Sequence, residues 1–183
     1  MEVTKLTTTV TVKQYREFKK SGDQEKIANL IYERFFERYI EPFEDNKSKH
    51  GFSMMAVSCL MIETLYCFQN GQKRTVGPGG DVFEKFFSDS IHLKEFVGFG
   101  REFYSKIRCG ILHQGETYGG WKILRKGAIF VQANKTINAT KFMKALKDEL
   151  REFTGKLKSE HLSSKIWKNV IKKLDYICMN CIP

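Results

Sequence analysis

Residues 52–71, FSMMAVSCLMIETLYCFQNG, decide the fold of this chain. The run is apolar on nearly every side of a helix, and Gly71 follows it as a natural C-terminal cap. Such a helix is stable in water only when other elements cover it, so the run predicts the central helix of a bundle. Its most apolar part, 54–62, is half the length of a membrane span. We therefore expect a soluble protein without a membrane partner.

Upstream of this run, the pattern predicts two helices. The first is short and lies around 13–19. Ser21 and Gln24 have the spacing of a capping box, which predicts the start of the second helix. Apolar residues at helical spacing continue to Tyr39, and Pro42 ends the helix.

Downstream, a Gly-Pro-Gly-Gly turn at 77–80 precedes a short Phe-rich helix that Asp81 is expected to cap. A helix that bears Arg108 follows. Two strand-like runs, 121–124 and 128–131, then flank Arg-Lys-Gly and predict a β-hairpin. Thr140 is expected to cap a long helix, and a last helix follows it. The prediction is a mainly α protein, with residues 1–183 as one compact bundle of about five to seven helices and one small β-hairpin insertion at about 121–131.

Positive charge is concentrated in the second half of the chain. Residues 1–100 carry 14 basic and 14 acidic side chains, whereas residues 101–183 carry 17 basic and 7 acidic ones. A local excess of this kind attracts polyanions such as nucleic acid. The alternative is a solvated basic surface that only keeps the protein soluble.

The cysteines and the amino terminus indicate the compartment. Five cysteines, an odd number without framework spacing, favour reduced thiols, and the first residues do not have the pattern of a signal peptide. We expect a cytoplasmic protein. Cys178-x-x-Cys181 lacks a second ligand pair for zinc and lies on an apolar helical face, so packing is the better interpretation. We expect no metal and no cofactor.

The segment from Arg108 to His113 contains the residues best suited to chemistry. Arginine is a fixed charge with a fork that fits two phosphate oxygens, and histidine can exchange protons near neutral pH. Five positions on a regular helix separate the two side chains by about 140°. They converge only if the helix loosens at Gly110, if His113 lies beyond the last turn, or if a second copy of the chain completes the site.

Glu63 lies within the apolar central helix, where a buried carboxylate needs a partner. Two interpretations remain open. Glu63 either pairs with Arg108 and fixes the guanidinium near His113, or it reaches solvent at one edge of the helix.

The chain resembles the HEPN superfamily (higher eukaryotes and prokaryotes nucleotide-binding). That family is marked by an Arg and a His separated by four to six residues on a late helix of a compact all-α bundle. Arg108-Cys109-Gly110-Ile111-Leu112-His113 has the form with four intervening residues, and the apolar helix with its internal Glu63 also fits. The resemblance covers residues 21–177.

The resemblance implies a metal-independent endoribonuclease of toxin–antitoxin or phage-defence type. The enzyme would cleave single-stranded RNA through attack by the 2′-hydroxyl group. Arg108, His113 and Glu63 would form its catalytic site, at a cleft shared by a homodimer. The cations expected to contact RNA are Arg101, Lys106, Lys122, Arg125 and Lys126. Expected partners are RNA or a nucleotide, a second copy and a protein antitoxin; the alternative is a non-catalytic module that binds nucleotide, RNA or a protein.

Overall fold

A computed structural model describes residues 4–44 and 50–181 of the chain, and these residues are mainly helical. The α-helices are α1 (Val12–Ser21), α2 (Gln24–Phe35), α3 (Gly51–Asn70), α4 (Gly79–Asp89), α5 (Gly100–Phe103), α6 (Cys109–Gln114), α7 (Ala139–Ser159) and α8 (Lys165–Asn180). A π-helical turn, Tyr104–Arg108, joins α5 to α6 into one rod. The predicted helical bundle with a small β insertion is confirmed.

α3 is the central helix, as its sequence predicts. It packs against α7 and α8 and also against α4. Nine of its 20 residues are buried, and Gly71 ends it in the left-handed conformation at φ 62°. By length and composition α3 is apolar enough to cross a membrane, but half of its most apolar part is buried within the protein.

A cluster of aromatic rings anchors α5 and the β insertion to the bundle. Phe103 stacks on Phe142 of α7 with ring centroids 5.5 Å apart. Trp121 stacks on Phe130 at 5.4 Å, and Phe130 stacks on Phe96 at 4.7 Å. Such pairs contribute about 0.5–1.5 kcal/mol each beyond the area that they bury. The rod that carries the motif is thus fixed on its buried side.

The β insertion differs from the predicted hairpin in its pairing. Its strands are β1 (Lys122–Leu124), β2 (Phe130–Val131) and β3 (Thr136–Asn138). β3 lies between the other two, parallel to β1 and antiparallel to β2. The hairpin over 121–131 is therefore wrong. Ile137 is fully buried, which favours the central position of β3 in the sheet. Its neighbours Thr136 and Asn138 are polar, so the segment lacks the apolar pattern by which a strand is predicted.

Three predicted helix caps are also wrong. Ser21 is the last residue of α1, because Gly22 turns the chain at φ 68°, and the cap of α2 is Asp23. The N-cap of α4 is Pro78 and the N-cap of α7 is Asn138. Asp81 and Thr140 lie inside the helices that they were expected to cap. The capping box of this protein is Thr11 with Gln14, at the start of α1.

The interpretation of Cys178-x-x-Cys181 as packing is confirmed. Leu174 and Cys178 are buried on one face of α8, and Cys181 is half-buried at its end. Both thiols are free. Burial, followed by the neighbouring Cys181, raises the pKa of Cys178 to about 11, so this thiol stays protonated at neutral pH.

Candidate active site

The rod formed by α5, the π turn and α6 carries both motif residues. Phe103, Ile107 and Ile111 bury its inner face. Within the π turn, the Cys109 N–H donates to the Tyr104 carbonyl oxygen, one residue further back than in an α-helix. The Tyr118 N–H donates to the Lys106 carbonyl oxygen at 3.0 Å. Single π turns inside helices are frequent at functional sites, and this one ends at Arg108.

Arg108 is held by Glu63, so the ion pair of the first interpretation is confirmed, whereas the expected position of the guanidinium near His113 is not. Arg108 Nε donates to Glu63 Oε1 at 2.9 Å, and each side chain is about one-fifth exposed, at 20% and 21%. The Arg108 Nη atoms make no hydrogen bond to any described residue. The Nη donors are therefore not committed to another side chain of the described residues, and two such donors can bind two phosphate oxygens.

Electrostatics keep this guanidinium charged. Burial by itself lowers the pKa of Arg108, whereas the hydrogen bond that Arg108 donates to Glu63 and the negative charge of Glu63 raise it, and the net shift is upward. The ion pair therefore orients a permanent cation.

Tyr104 forms a second wall for Arg108. The guanidinium carbon lies 5.4 Å from the centroid of the Tyr104 ring, a cation–π distance. The ring fits only because α4 begins with a glycine: a β-carbon at Gly79 would lie 2.2 Å from Tyr104 Cζ. Burial raises the pKa of Tyr104, against the opposing effect of the Arg108 charge, so the phenol remains neutral.

His113 lies at the exposed end of the rod. It occupies the last turn of α6, which Gly115 ends at φ 69°. Gly110 allows the chain to fold back beneath this end, since a β-carbon there would lie 2.4 Å from the Glu116 carbonyl oxygen. The imidazole makes no hydrogen bond to any residue in the described ranges. It is therefore free to bind a ligand.

Arg108 and His113 do not meet within one chain. α6 spans Gly110 as regular α-helix and includes His113, so neither the loosened helix nor the position beyond the last turn is observed. Helical geometry separates the two side chains by about 140° around the axis and about 7.5 Å along it. Arg108 faces α3 and His113 faces solvent. Of the three expected routes to convergence, only a second copy remains.

Apolar side chains surround the ion pair on the surface. Leu60 precedes Glu63 by one turn of α3 and is 43% exposed, while Leu112 follows Arg108 by one turn of α6 and is 47% exposed. Residues three or four positions apart lie on the same side of a helix, so both leucines flank the pair. Val57 continues the surface toward the start of α3.

The predicted RNA-contacting cations fall into two groups. Arg101 and Lys106 lie on the rod, where Arg101 Nε pairs with Asp81 Oδ1 at 2.6 Å and the Lys106 side chain packs along Gly119. Lys122, Arg125 and Lys126 lie on the β insertion beside the start of α3. Arg125 Nε donates to Thr140 Oγ1 at 3.1 Å. The structure therefore brings only Lys106 and Arg101 near the motif.

Sequence reasoning missed Tyr104 and Gly79. An aromatic residue one helical turn before Arg108 was the available signal for Tyr104. Nothing in the sequence marks Gly79 as its complement, because that contact depends on how α4 meets α5.

No group of three or more His, Cys, Asp or Glu side chains in the described ranges could hold a metal ion. Comparison of the chain with protein-family models, curated proteins and solved structures gave no match. The function must therefore be argued from the site itself.

Proposed function

We propose that this protein is a metal-independent endoribonuclease of HEPN type that cleaves single-stranded RNA. One observation carries the proposal: Glu63 holds Arg108 by Nε and leaves the Nη donors without a partner among the described residues, while His113 stands exposed on the same rod. A fixed cation and a free imidazole are the groups that metal-free phosphodiester cleavage needs.

In the proposed reaction, the RNA 2′-hydroxyl oxygen attacks the adjacent phosphorus atom and the P–O5′ bond breaks. One histidine removes the 2′-hydroxyl proton, and a second histidine protonates the departing 5′-oxygen. The Arg108 Nη atoms stabilise the additional negative charge on the phosphorane oxygens. The products are a 2′,3′-cyclic phosphate and a 5′-hydroxyl end. Because the nucleophile is the 2′-hydroxyl group, DNA is not a substrate.

The two histidines come from two copies of the chain. One chain supplies a single His113, which points away from its own Arg108, so a two-fold dimer is the simplest way to assemble an acid and a base. The exposed Leu60 and Leu112 beside the ion pair give such a dimer an apolar contact surface. The motifs of both copies would then face one cleft.

The resemblance to the HEPN superfamily favours a toxin or defence role in the cytoplasm, with a protein antitoxin as a further partner. The same resemblance includes modules that bind without cleaving, so turnover is the property to measure.

Cleavage of single-stranded RNA in EDTA tests the proposal. The purified protein should cut RNA and leave 2′,3′-cyclic phosphate ends, since no metal-bound water takes part. His113→Ala should lower the rate by about 10²-fold or more, the usual contribution of general acid–base catalysis. Because His113 is exposed, the variant should remain folded and dimeric.

His161→Ala is the matched control, since His161 is also exposed but lies near the start of α8, away from the motif. It should cleave at the wild-type rate. RNA binding without cleavage across varied substrates would replace the nuclease with the binding module, and undiminished activity of His113→Ala would end the assignment.

A further inference from the structure

Residues 117–147 contain seven lysines or arginines and no aspartate or glutamate in 31 positions. This acid-free segment includes the whole β insertion and the first two turns of α7. Elsewhere the protein mixes the two signs of charge. Carboxylates from outside the segment pair with three of its cations: Glu102 with Lys135, Glu44 with Lys147, and Asp148 with Lys144.

The remaining cations lie on the β insertion and on the first turn of α7. The Asn138 side chain caps α7 and also donates to the Gly127 carbonyl oxygen at 3.0 Å, which fixes the β1–β2 loop beside the helix. Lys126 lies on this loop and Lys141 on the first turn of α7. Lys122, on β1, and both of these lysines are exposed, and none forms an ion pair with a described residue. We name Lys122, Lys126 and Lys141 the basic patch.

A depression borders the patch. It has a volume of about 310 Å³ and lies between the β insertion and α7, where it is lined by His92, Ile129, Lys141, Lys144, Ala145 and Asp148. The Asp148 carboxylate is paired with Lys144 and Arg151. The positive end of the α7 dipole points toward the same corner. Several independent features thus favour negative charge at one place.

We infer that the basic patch binds the RNA strand at a distance from the cleavage site, an inference that rests on the proposed function. Gly51, at the start of α3, would place a β-carbon 3.3 Å from Arg125 Cγ, so the loop beside the patch lies near this end of α3. Glu63 follows Gly51 by 12 residues, or about 18 Å along the helix. RNA held at the patch therefore extends beyond the nucleotides at the motif.

RNA fits this surface better than a membrane does. Helices that lie on membranes insert an apolar face beneath their cations. In α7 that face, which includes Phe142, Leu146 and Leu150, is already buried in the core. The cations alone remain outside, and their ligand must supply repeated negative charge, as a phosphodiester backbone does.

The test uses a labelled single-stranded RNA of about 20 nucleotides whose 2′-hydroxyl groups are methylated, so that it binds without being cleaved. The variant Lys122→Ala/Lys126→Ala/Lys141→Ala should raise its Kd about tenfold or more at 0.15 M salt. The slope of log K against log salt should fall by about two, because each phosphate contact contributes about 0.7. The control Lys165→Ala/Lys168→Ala/Lys172→Ala removes three exposed lysines from α8 and should leave Kd and slope nearly unchanged.

An equal rise of the Kd for RNA in both triple variants would overturn the inference, because it would show that only the net charge of the protein matters and not the position of the lysines. Unchanged RNA binding by the patch variant would overturn it too, whether or not the patch then binds anionic vesicles or an acidic protein. The probe cannot be cleaved, so the result stands apart from the nuclease assignment. Loss of that assignment with patch-dependent binding intact would leave RNA binding at the patch in place and would remove only its relation to a cleavage site.

Discussion

The two basic regions of this protein differ in how their cations are held. On the rod, Arg108 is fixed by Glu63 and Tyr104 and is only about one-fifth exposed. In the basic patch, Lys122, Lys126 and Lys141 face solvent without an acidic partner among the described residues. A guanidinium held in one orientation can stabilise negative charge at one defined position, whereas mobile lysine side chains attract any polyanion.

Under the proposed function, we expect this difference to separate catalysis from affinity. Solvent-exposed cations act through counterion release, so salt weakens their contribution strongly. A partly buried, oriented guanidinium is screened less and acts mainly on the transition state. The rod should therefore control the cleavage rate, and the patch should control RNA affinity and its dependence on salt.

Among the substitutions considered, those of Arg108 should have the largest effect on the cleavage rate. Arg108→Ala should lower the single-turnover cleavage rate by about 10²–10³-fold, the usual cost of removing one group that stabilises the transition state. Arg108→Lys should remain almost as inactive, because an ammonium group cannot hold Glu63 at Nε and phosphate at both Nη atoms. Full activity of Arg108→Lys would show that charge alone suffices.

Leu60→Glu should separate the two copies. In a two-fold interface each substitution occurs twice, and a buried carboxylate without a partner is costly. We expect the dimer Kd, measured by sedimentation, to rise about tenfold or more. Val76→Glu is the control, because Val76 is 70% exposed in the loop before α4. Equal dimer Kd values for Leu60→Glu and Val76→Glu would exclude the surface around Leu60 as the dimer interface.

Glu63→Gln should have a smaller effect on cleavage. Glutamine can still accept the Arg108 Nε–H but no longer supplies charge, so we expect about a tenfold loss of rate. Glu63→Ala removes the contact as well and should lose more. A rate for Glu63→Ala equal to that of the wild type would deny Glu63 any role in orienting Arg108.

Two glycine-to-alanine substitutions should have the smallest effects, and they should have opposite signs. Gly79→Ala forces a β-carbon into the Tyr104 ring and should cost about 1–3 kcal/mol of unfolding free energy. Gly155→Ala lies within α7, where a β-carbon meets open space, and should stabilise by about 0.5–1 kcal/mol. Urea unfolding measures both. Stabilisation by both would show that the Tyr104 ring is not confined.

Local and periodic signals in the sequence predicted much of the fold. The apolar period of α3 and the cap at Gly71 correctly located the central helix, and the cost of a buried charge made Arg108 one of two alternatives for Glu63, the one that the structure shows. β3 was not predicted, because only one of its three side chains is apolar and so short a segment shows no alternation of apolar and polar residues. The cap of α2 was misplaced because α1 continues through Ser21 and ends at Gly22, later than the predicted end near residue 19.

The walls of the site could not be read from the sequence. Tyr104 fits beside Gly79, and Gly100 allows α5 to approach α4 so closely that a β-carbon there would lie 2.3 Å from Glu84 Cα. These contacts join residues whose relation exists only after two helices pack. The sequence pattern identifies the charged residues of the site, whereas the packing of the helices determines which of these side chains are fixed in position.

Heterodimers that join one wild-type copy to one His113→Ala copy test the central claim most directly. Two different affinity tags isolate them, and their cleavage rate in EDTA is compared with that of the wild-type dimer. If one cleft uses both histidines as acid and base, the heterodimer should be slower by about 10²-fold or more. A heterodimer with half the wild-type rate would show that each copy works alone and would contradict the shared site.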